Sequence, residues 1–122
     1  MILGNFGEVG ELMFEIEIIS ADEDNYAIEV LLDTGFTNGW LALDIQDAEI
    51  LGWPLIERNS TMRMARGEAF FDIYEGKVKL DGQEYIIPVL AAEGISEPLL
   101  GLQWLKILPL SVNFSEGVLT LG

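Results

Sequence analysis

Asp33, Thr34 and Gly35 form a tripeptide that follows the largely apolar run 28–32 and precedes a loop rich in Gly, Thr and Asn. An apolar run of this length predicts a buried strand, so the Asp33 carboxylate would be held on rigid backbone at a strand end. A carboxylate held in this way is suited to general acid–base chemistry. The chain has no histidine and no cysteine, which excludes an imidazole base, a thiolate nucleophile and a Cys/His zinc site. Carboxylates are therefore the expected catalytic groups if the protein is an enzyme.

The composition limits the class of protein and its partners. With 122 residues, half of them apolar, the chain is expected to form a single domain over residues 1–122. Its formal net charge of −15 argues against nucleic acid and anionic membrane surfaces as partners. No apolar run approaches the roughly 20 residues of a membrane span, and the first residues lack the basic flank of a secretory signal, so a cytoplasmic location is expected. No cofactor and no metal ion is expected.

Alternation of apolar and polar residues between short turn signals predicts an all-β chain. Strands are expected over 12–19, 26–32 and 40–43, and Asp44 is a candidate N-cap for a short helix that ends at Gly52 and Pro54. Asp81 and Gly82 carry a strong type I′ turn signal. The remaining expected elements are a long hairpin from 56 to 75 with its tip near 65–67, a hairpin of 77–80 and 83–90, a loop over 91–98, a short helix over 102–107, and a last hairpin of 110–114 and 118–121.

The tripeptide alone is weak evidence, because Asp, Thr and Gly are also ordinary residues for a strand that ends in a turn. Its surroundings add to it: an apolar pair plus glycine recurs at 99–101 before a short helix, and a hairpin with a small-residue tip lies between. In this order of elements the chain resembles the retroviral-type (retropepsin-like) single-domain aspartic proteases, including their bacterial relatives, over about residues 12–121. Segments 31–37 and 99–105 carry the most specific part of the resemblance. It implies a closed all-β barrel or sandwich with a flap hairpin and one or two short helices.

The resemblance also implies a role for each of these segments. Asp33 would be the catalytic aspartate, Gly35 would let the loop turn tightly, and the Thr34 hydroxyl would bridge to the partner chain's loop. The flap tip that covers the substrate would consist of Ala65, Arg66 and Gly67, and the second motif, packed behind the Asp33 loop, would consist of Leu99, Leu100 and Gly101.

Two positions depart from the pattern of the retroviral enzymes. These enzymes usually have alanine after Asp-Thr-Gly, where this chain has Phe36, and the added bulk is expected to narrow the cleft. They also usually have arginine after the second glycine, where this chain has Leu102. The ion pair that this arginine makes between subunits is therefore missing, which leaves the dimer with one contact fewer.

Peptide hydrolysis by carboxylates needs two of them, one ionised as the base and one protonated as the acid, whereas one chain carries one Asp-Thr-Gly. A two-fold axis through the Asp33 loops would supply the second carboxylate. The leading interpretation is thus a homodimeric aspartic endopeptidase that binds a peptide or protein substrate as an added strand. The alternative is a catalytically inactive retropepsin-like module for peptide binding or dimerisation, since a fold does not guarantee activity.

Overall fold

Strands form most of the chain in the computed structural model, which describes residues 1–64 and 67–122. In chain order the strands are β1 (Ile2–Leu3), β2 (Asn5–Phe6), β3 (Leu12–Ile19), β4 (Asn25–Leu32), β5 (Leu41–Asp44), β6 (Leu55–Met64), β7 (Gly67–Leu80), β8 (Gln83–Ala92), β9 (Leu99–Leu100), β10 (Leu110–Asn113) and β11 (Val118–Leu121). The described chain also contains the helix α1 (Ile45–Leu51) and a 3-10 helix (Leu102–Lys106). The predicted all-β class with one or two short helices is confirmed. Neither helix is long enough to span a membrane, and the described residues contain no other helix that could do so.

An eight-stranded sheet with the order β2-β3-β4-β9-β5-β8-β7-β6 dominates the fold. Strand β3 pairs with β4 along its whole length and also pairs through residues 17–19 with residues 77–79 of β7. Because β3 and β7 lie near opposite ends of the strand order, this second pairing curls the sheet into a partly closed barrel. A smaller sheet, β1-β11-β10, brings the two ends of the described chain together.

The inside of the curled sheet is filled by apolar side chains from nearly every long strand. Helix α1 contributes Ala48 and Leu51 to the same core, and the 3-10 helix contributes Trp104, which is completely buried. Full burial of a large apolar side chain stabilises a fold by roughly 1.5–3 kcal/mol, so a core of this size holds the sheet in one arrangement. The largest side chains that are fully buried are those of Trp104, Phe14, Ile19, Leu41, Leu43, Leu80, Leu100 and Leu121.

Local signals in the sequence place the ends of several elements. The Asp44 side chain accepts a hydrogen bond of 3.1 Å from the Gln46 amide at the start of α1, and Gly52 ends the helix with a φ of 72°. Asp81 and Gly82 have φ values of 54° and 77°, as a type I′ turn between β7 and β8 requires. The predicted helix at Asp44 and the predicted turn at 81–82 are therefore confirmed.

Strand β7 differs from its prediction, which ended one hairpin, 56–75, before Gly76 and began the first strand of the next hairpin at 77. The strand runs unbroken through Gly76, which pairs with Ile87 of β8. An added Cβ at Gly76 would overlap Val89 and lie 3.1 Å from the ring of Trp53. This glycine therefore makes room for side chains that cross the strand, and it does not mark a turn.

The arrangement of β4, β9 and β5 positions the predicted site. Strand β9 lies between the other two, parallel to β4 and antiparallel to β5. Since β4 and β5 are consecutive in the chain, the loop that joins them, residues 33–40, has to cross over the end of β9. Gly101 follows β9 directly, and an added Cβ there would overlap the carbonyl oxygen of Gly39 and lie 3.0 Å from its Cα. The loop approaches the chain so closely at this point that only glycine fits.

We predict that Gly101→Ala destabilises the protein by about 1–3 kcal/mol, because the new methyl group meets backbone that cannot move aside cheaply. The free energy of unfolding in urea measures the effect. Gly7→Ala is the control, since the atoms nearest to its added Cβ belong to the side chain of Glu11 and not to backbone. A Gly101→Ala variant as stable as the control would contradict the close packing of loop 33–40.

Candidate active site

Asp33 follows the last residue of β4, and its backbone continues the pairing of that strand. The Asp33 amide donates to the carbonyl oxygen of Leu100 at 2.9 Å, just as the Leu31 amide donates to Pro98 at 2.9 Å. The partly exposed carboxylate accepts a hydrogen bond of 2.8 Å from the Gly35 amide through Oδ1. An added Cβ at Gly35 would lie 3.1 Å from the same oxygen. Backbone on both sides thus fixes where the carboxylate lies.

The register of the strands shows on which face of the sheet Asp33 lies. Side chains alternate along a strand, so Asp33 lies on the face of Leu31, and residues paired directly across strands share a face. Leu31 begins a row of apolar residues on this face that crosses five strands. The members of this cleft row are Leu31, Leu99, Ala42, Leu90 and Ile73. All but Ala42 are partly exposed, so the candidate site has an apolar floor that is open to a ligand.

The neighbouring row, one residue along each strand, faces the other way. It runs from Leu32 through Leu100, Leu41 and Val89 to Tyr74, and the first and last of these are each 6% exposed while the other three are completely buried. The same strands therefore provide the core on one face and the floor of the candidate site on the other. A shift of register by one residue would exchange the two faces.

The 3-10 helix holds the loop that follows Asp33. The amides of Leu102 and Gln103 donate to the carbonyl oxygens of Phe36 (3.0 Å) and Gly39 (3.2 Å). The carbonyl oxygen of Trp40 accepts from the Gly101 amide (3.0 Å) and from the Trp104 indole (2.8 Å). The first amides of a helix lack partners within the helix, and here the loop supplies those partners.

The role of two groups in holding the loop, the side chains of Gln103 and Trp104, was not predicted from the sequence. The Gln103 side chain donates through Nε2 to the carbonyl oxygen of Thr37 at 2.7 Å, and the Trp104 indole bonds Trp40 as described above. The Trp104 ring also packs edge-on against the rings of Trp40 and Tyr85, with centroids 4.9 and 5.0 Å away. Their only signal in the sequence is their position directly after the predicted second motif, 99–101.

Phe36 does not narrow the cleft as expected. Its ring is 9% exposed and covers Gly39, where an added Cβ would overlap the ring. The ring packs inside the loop because Gly39 leaves space for it. The bulk after Asp-Thr-Gly therefore adds packing to the loop.

The predicted flap is the outer part of the β6–β7 hairpin. Strand β7 pairs with β8 from Asp72 onward, so residues 60–64 and 67–71 extend beyond the sheet as an arm of two strands. Gly67 begins β7 and pairs with Met64, whereas Ala65 and Arg66 lie outside the described residues. At the base of the arm, the Asn59 amide donates to Asp72 Oδ1 at 3.0 Å. The backbone of Asn59 is left-handed, with a φ of 52°.

Tyr74 and Lys77 are poorly suited to acid–base work near neutral pH. Burial, together with the charges of Glu49 and Asp72, raises the pKa of the Tyr74 hydroxyl. The hydrogen bond to Glu23 raises the pKa of Lys77, whose ammonium lies 3.0 Å from Glu23 Oε2. Both groups thus keep their protons well above pH 7. Within the described residues, no three acidic side chains come close enough to hold a metal ion.

No protein-family model matches the chain, and a search of curated proteins finds no significant relative. Solved structures do match. The EIAV protease, solved in complex with the inhibitor HBY-793, superposes with a TM-score of 0.63 at 17% identity, over 84% of this chain and 91% of that protease. A retropepsin-like aspartic protease from Rickettsia conorii superposes with a TM-score of 0.60 at 19% identity, over 99% of this chain and 88% of the Rickettsia protein.

These similarities span nearly the whole chain, and at such low identity they establish its fold. These two structures are a retroviral protease and a retropepsin-like aspartic protease. The resemblance seen in the sequence is thereby confirmed at the level of the fold, and so is the predicted architecture. The chain has the retropepsin-like aspartic protease fold.

Proposed function

We propose that the protein is a homodimeric aspartic endopeptidase to which each chain contributes one Asp33 carboxylate. The observation that carries the proposal is the position of Asp33 in this fold. The carboxylate ends β4, is oriented by the Gly35 amide, and lies on the same face as the apolar cleft row. A rigid carboxylate beside an open apolar floor is suited to acid–base work on a bound peptide.

A second copy of the chain supplies the other half of the chemistry. Two carboxylates brought together by a two-fold axis share one proton, because two like charges at short range cannot both ionise cheaply. The ionised Asp33 takes a proton from a water molecule as its oxygen attacks the peptide carbonyl. The protonated Asp33 of the other chain donates to the carbonyl oxygen as the tetrahedral intermediate forms. Collapse of the intermediate breaks the C–N bond, and the amine leaves with a proton from the dyad.

The environment of Asp33 supports this division of roles. The Gly35 amide bonds Oδ1 and thereby leaves Oδ2 for the water or for the partner's carboxyl group. Thr34 is exposed in the single chain, so its hydroxyl is free to reach the loop of a second chain. The loop behind these residues is tied to the 3-10 helix of the same chain, which holds the carboxylate in a defined direction.

The floor and the flap arm indicate how a substrate binds. An extended peptide laid across the cleft would contact the apolar row on one side and the two-stranded arm on the other, with backbone hydrogen bonds as in an added strand. The row contains three leucines and an isoleucine around the small Ala42, so apolar substrate side chains near the cleaved bond are favoured.

We predict that Asp33→Asn lowers peptidase activity about 100-fold or more, because the amide can neither accept a proton from water nor share one with its partner. The measurement is cleavage of an unstructured protein substrate, followed by mass spectrometry of the products. Asp47→Asn, at an exposed carboxylate on α1, is the control and should keep the wild-type rate.

Activity of Asp33→Asn above about 1% of the wild-type rate would assign the chemistry to another carboxylate. A wild-type protein that binds peptides but cleaves none of them would instead indicate the inactive binding module. Circular dichroism of the variant separates loss of chemistry from loss of fold. The substitution removes a charge from the dyad, so the variant dimer should associate at least as well as the wild type.

The net charge leads to a separate prediction about association. Each chain carries a formal charge of −15, so dimerisation brings two strongly negative bodies together. We predict weak association at neutral pH and low salt, and stronger association when salt screens the charge or mild acid reduces it. Proton sharing in the dyad also requires a proton that becomes scarce as pH rises. Activity should therefore be highest in mildly acidic buffer and should depend on protein concentration.

Sedimentation and cleavage measured across pH, each at low and at high salt, separate the two causes. At a fixed pH, salt screens the repulsion between the two negative chains, but it does not restore the proton that the two Asp33 carboxylates share. A dimer that is equally tight at pH 5 and pH 8 in low salt would contradict the contribution of charge repulsion.

A further inference from the structure

We propose that Gln103 is a positioning residue, which holds the loop behind Asp33 in its working shape through a hydrogen bond made within one chain. The bond runs from Gln103 Nε2 to the carbonyl oxygen of Thr37 and measures 2.7 Å. The inference rests on the proposed function for its catalytic consequence, whereas the positioning itself is a property of the single chain.

Gln103 bonds the loop where other support is weakest. Phe36 and Trp40 lie at the two ends of the outer part of the loop. Phe36 is buried, and its carbonyl oxygen accepts a hydrogen bond from the amide of residue 102. Trp40 is partly buried, and its carbonyl oxygen accepts from the amide of residue 101 and the indole of residue 104. Thr37 and Asn38 between them are exposed. Within the described residues, the Gln103 side chain provides the hydrogen bond that ties this exposed segment to the 3-10 helix.

The exposed segment is connected to Asp33 through short backbone bonds. The Phe36 amide donates to the carbonyl oxygen of Asp33 at 3.1 Å, and the Gly39 amide donates to that of Phe36 at 3.3 Å. These two turns follow one another, so a displacement of Thr37 changes the turn that begins at Asp33. A displacement of less than 1 Å at a catalytic group is enough to reduce turnover substantially.

The bond is also independent of a partner chain. Leu102, directly before Gln103, bonds the loop of its own chain through its amide, which lies 3.0 Å from the carbonyl oxygen of Phe36. Here the next residue, Gln103, bonds the loop of its own chain through both its backbone amide (3.2 Å to Gly39) and its side chain. The loop therefore has its shape in the single chain, before dimerisation.

Hydrogen exchange on Gln103→Met tests the positioning directly. Methionine has nearly the length and volume of glutamine but no N–H group, so it keeps the packing and removes the donor. At a dilution where the protein is monomeric, amides in residues 34–40 should exchange about 3–10-fold faster in Gln103→Met than in the wild type. Gln46→Met, at an exposed glutamine of α1, is the matched control and should leave this exchange unchanged.

Two results in the exchange experiment would overturn the proposal. One is equal exchange of 34–40 in Gln103→Met and the wild type. The other is a wild-type loop that becomes protected only at concentrations where the dimer forms. Because this experiment does not use activity, its outcome is independent of whether the protein is a peptidase.

Kinetics of the same variants test the catalytic consequence. Gln103→Met should lower kcat about 10-fold and leave KM within about twofold, since Gln103 acts on the position of Asp33 and not on substrate contacts. An unchanged kcat together with faster exchange would overturn the positioning role in catalysis. If Gln103→Met exchanges faster but the wild type itself shows no peptidase activity, the role of Gln103 in the loop is retained and the proposed function is rejected.

Discussion

The close approach of the Gly39 and Gly101 backbones is the contact on which the candidate site depends. Strand β9 is only two residues long, yet it separates β4 from β5 and forces loop 33–40 to cross its end. Glycine at both positions allows the crossing. The first amides of the 3-10 helix that follows β9 have no partners within the helix, and they donate to carbonyl oxygens of the loop. The direction of the Asp33 carboxylate thus depends on backbone packing against residues 100–103, distant in sequence, as well as on the Gly35 amide beside it.

The two faces of the sheet explain how so short a chain builds both a core and a site. Every strand near Asp33 contributes alternate residues to the buried row and to the cleft row, so stability and the candidate binding floor come from the same hydrogen-bonded register. The proposed peptidase needs a second half of the site. One carboxylate on an open floor makes half of an acid–base pair, and a second chain related by a two-fold axis is the simplest source of the other half.

Local signals made part of this structure predictable. The strand before Asp33, the cap at Asp44 and the turn at 81–82 each depend on neighbours within a few residues, where periodicity and turn chemistry act. The place of β9 between β4 and β5, and the unbroken course of β7 through Gly76, depend on partners distant in sequence. The burial of Phe36 and the bond of Gln103 to Thr37 belong to this second group, because each depends on a gap or a carbonyl that another segment provides.

The central claim is that two Asp33 carboxylates form one site, and the stoichiometry of a transition-state inhibitor tests it most directly. A statine-type inhibitor places a hydroxyl group between two catalytic carboxylates, so it needs both chains to bind. Calorimetric titration of the wild type in mildly acidic buffer, with sedimentation of the same samples, should give one inhibitor per two chains and a dimer in the bound state. Asp33→Asn should lose this binding. Binding of one inhibitor per chain to a monomer, or equal binding by Asp33→Asn, would contradict the claim.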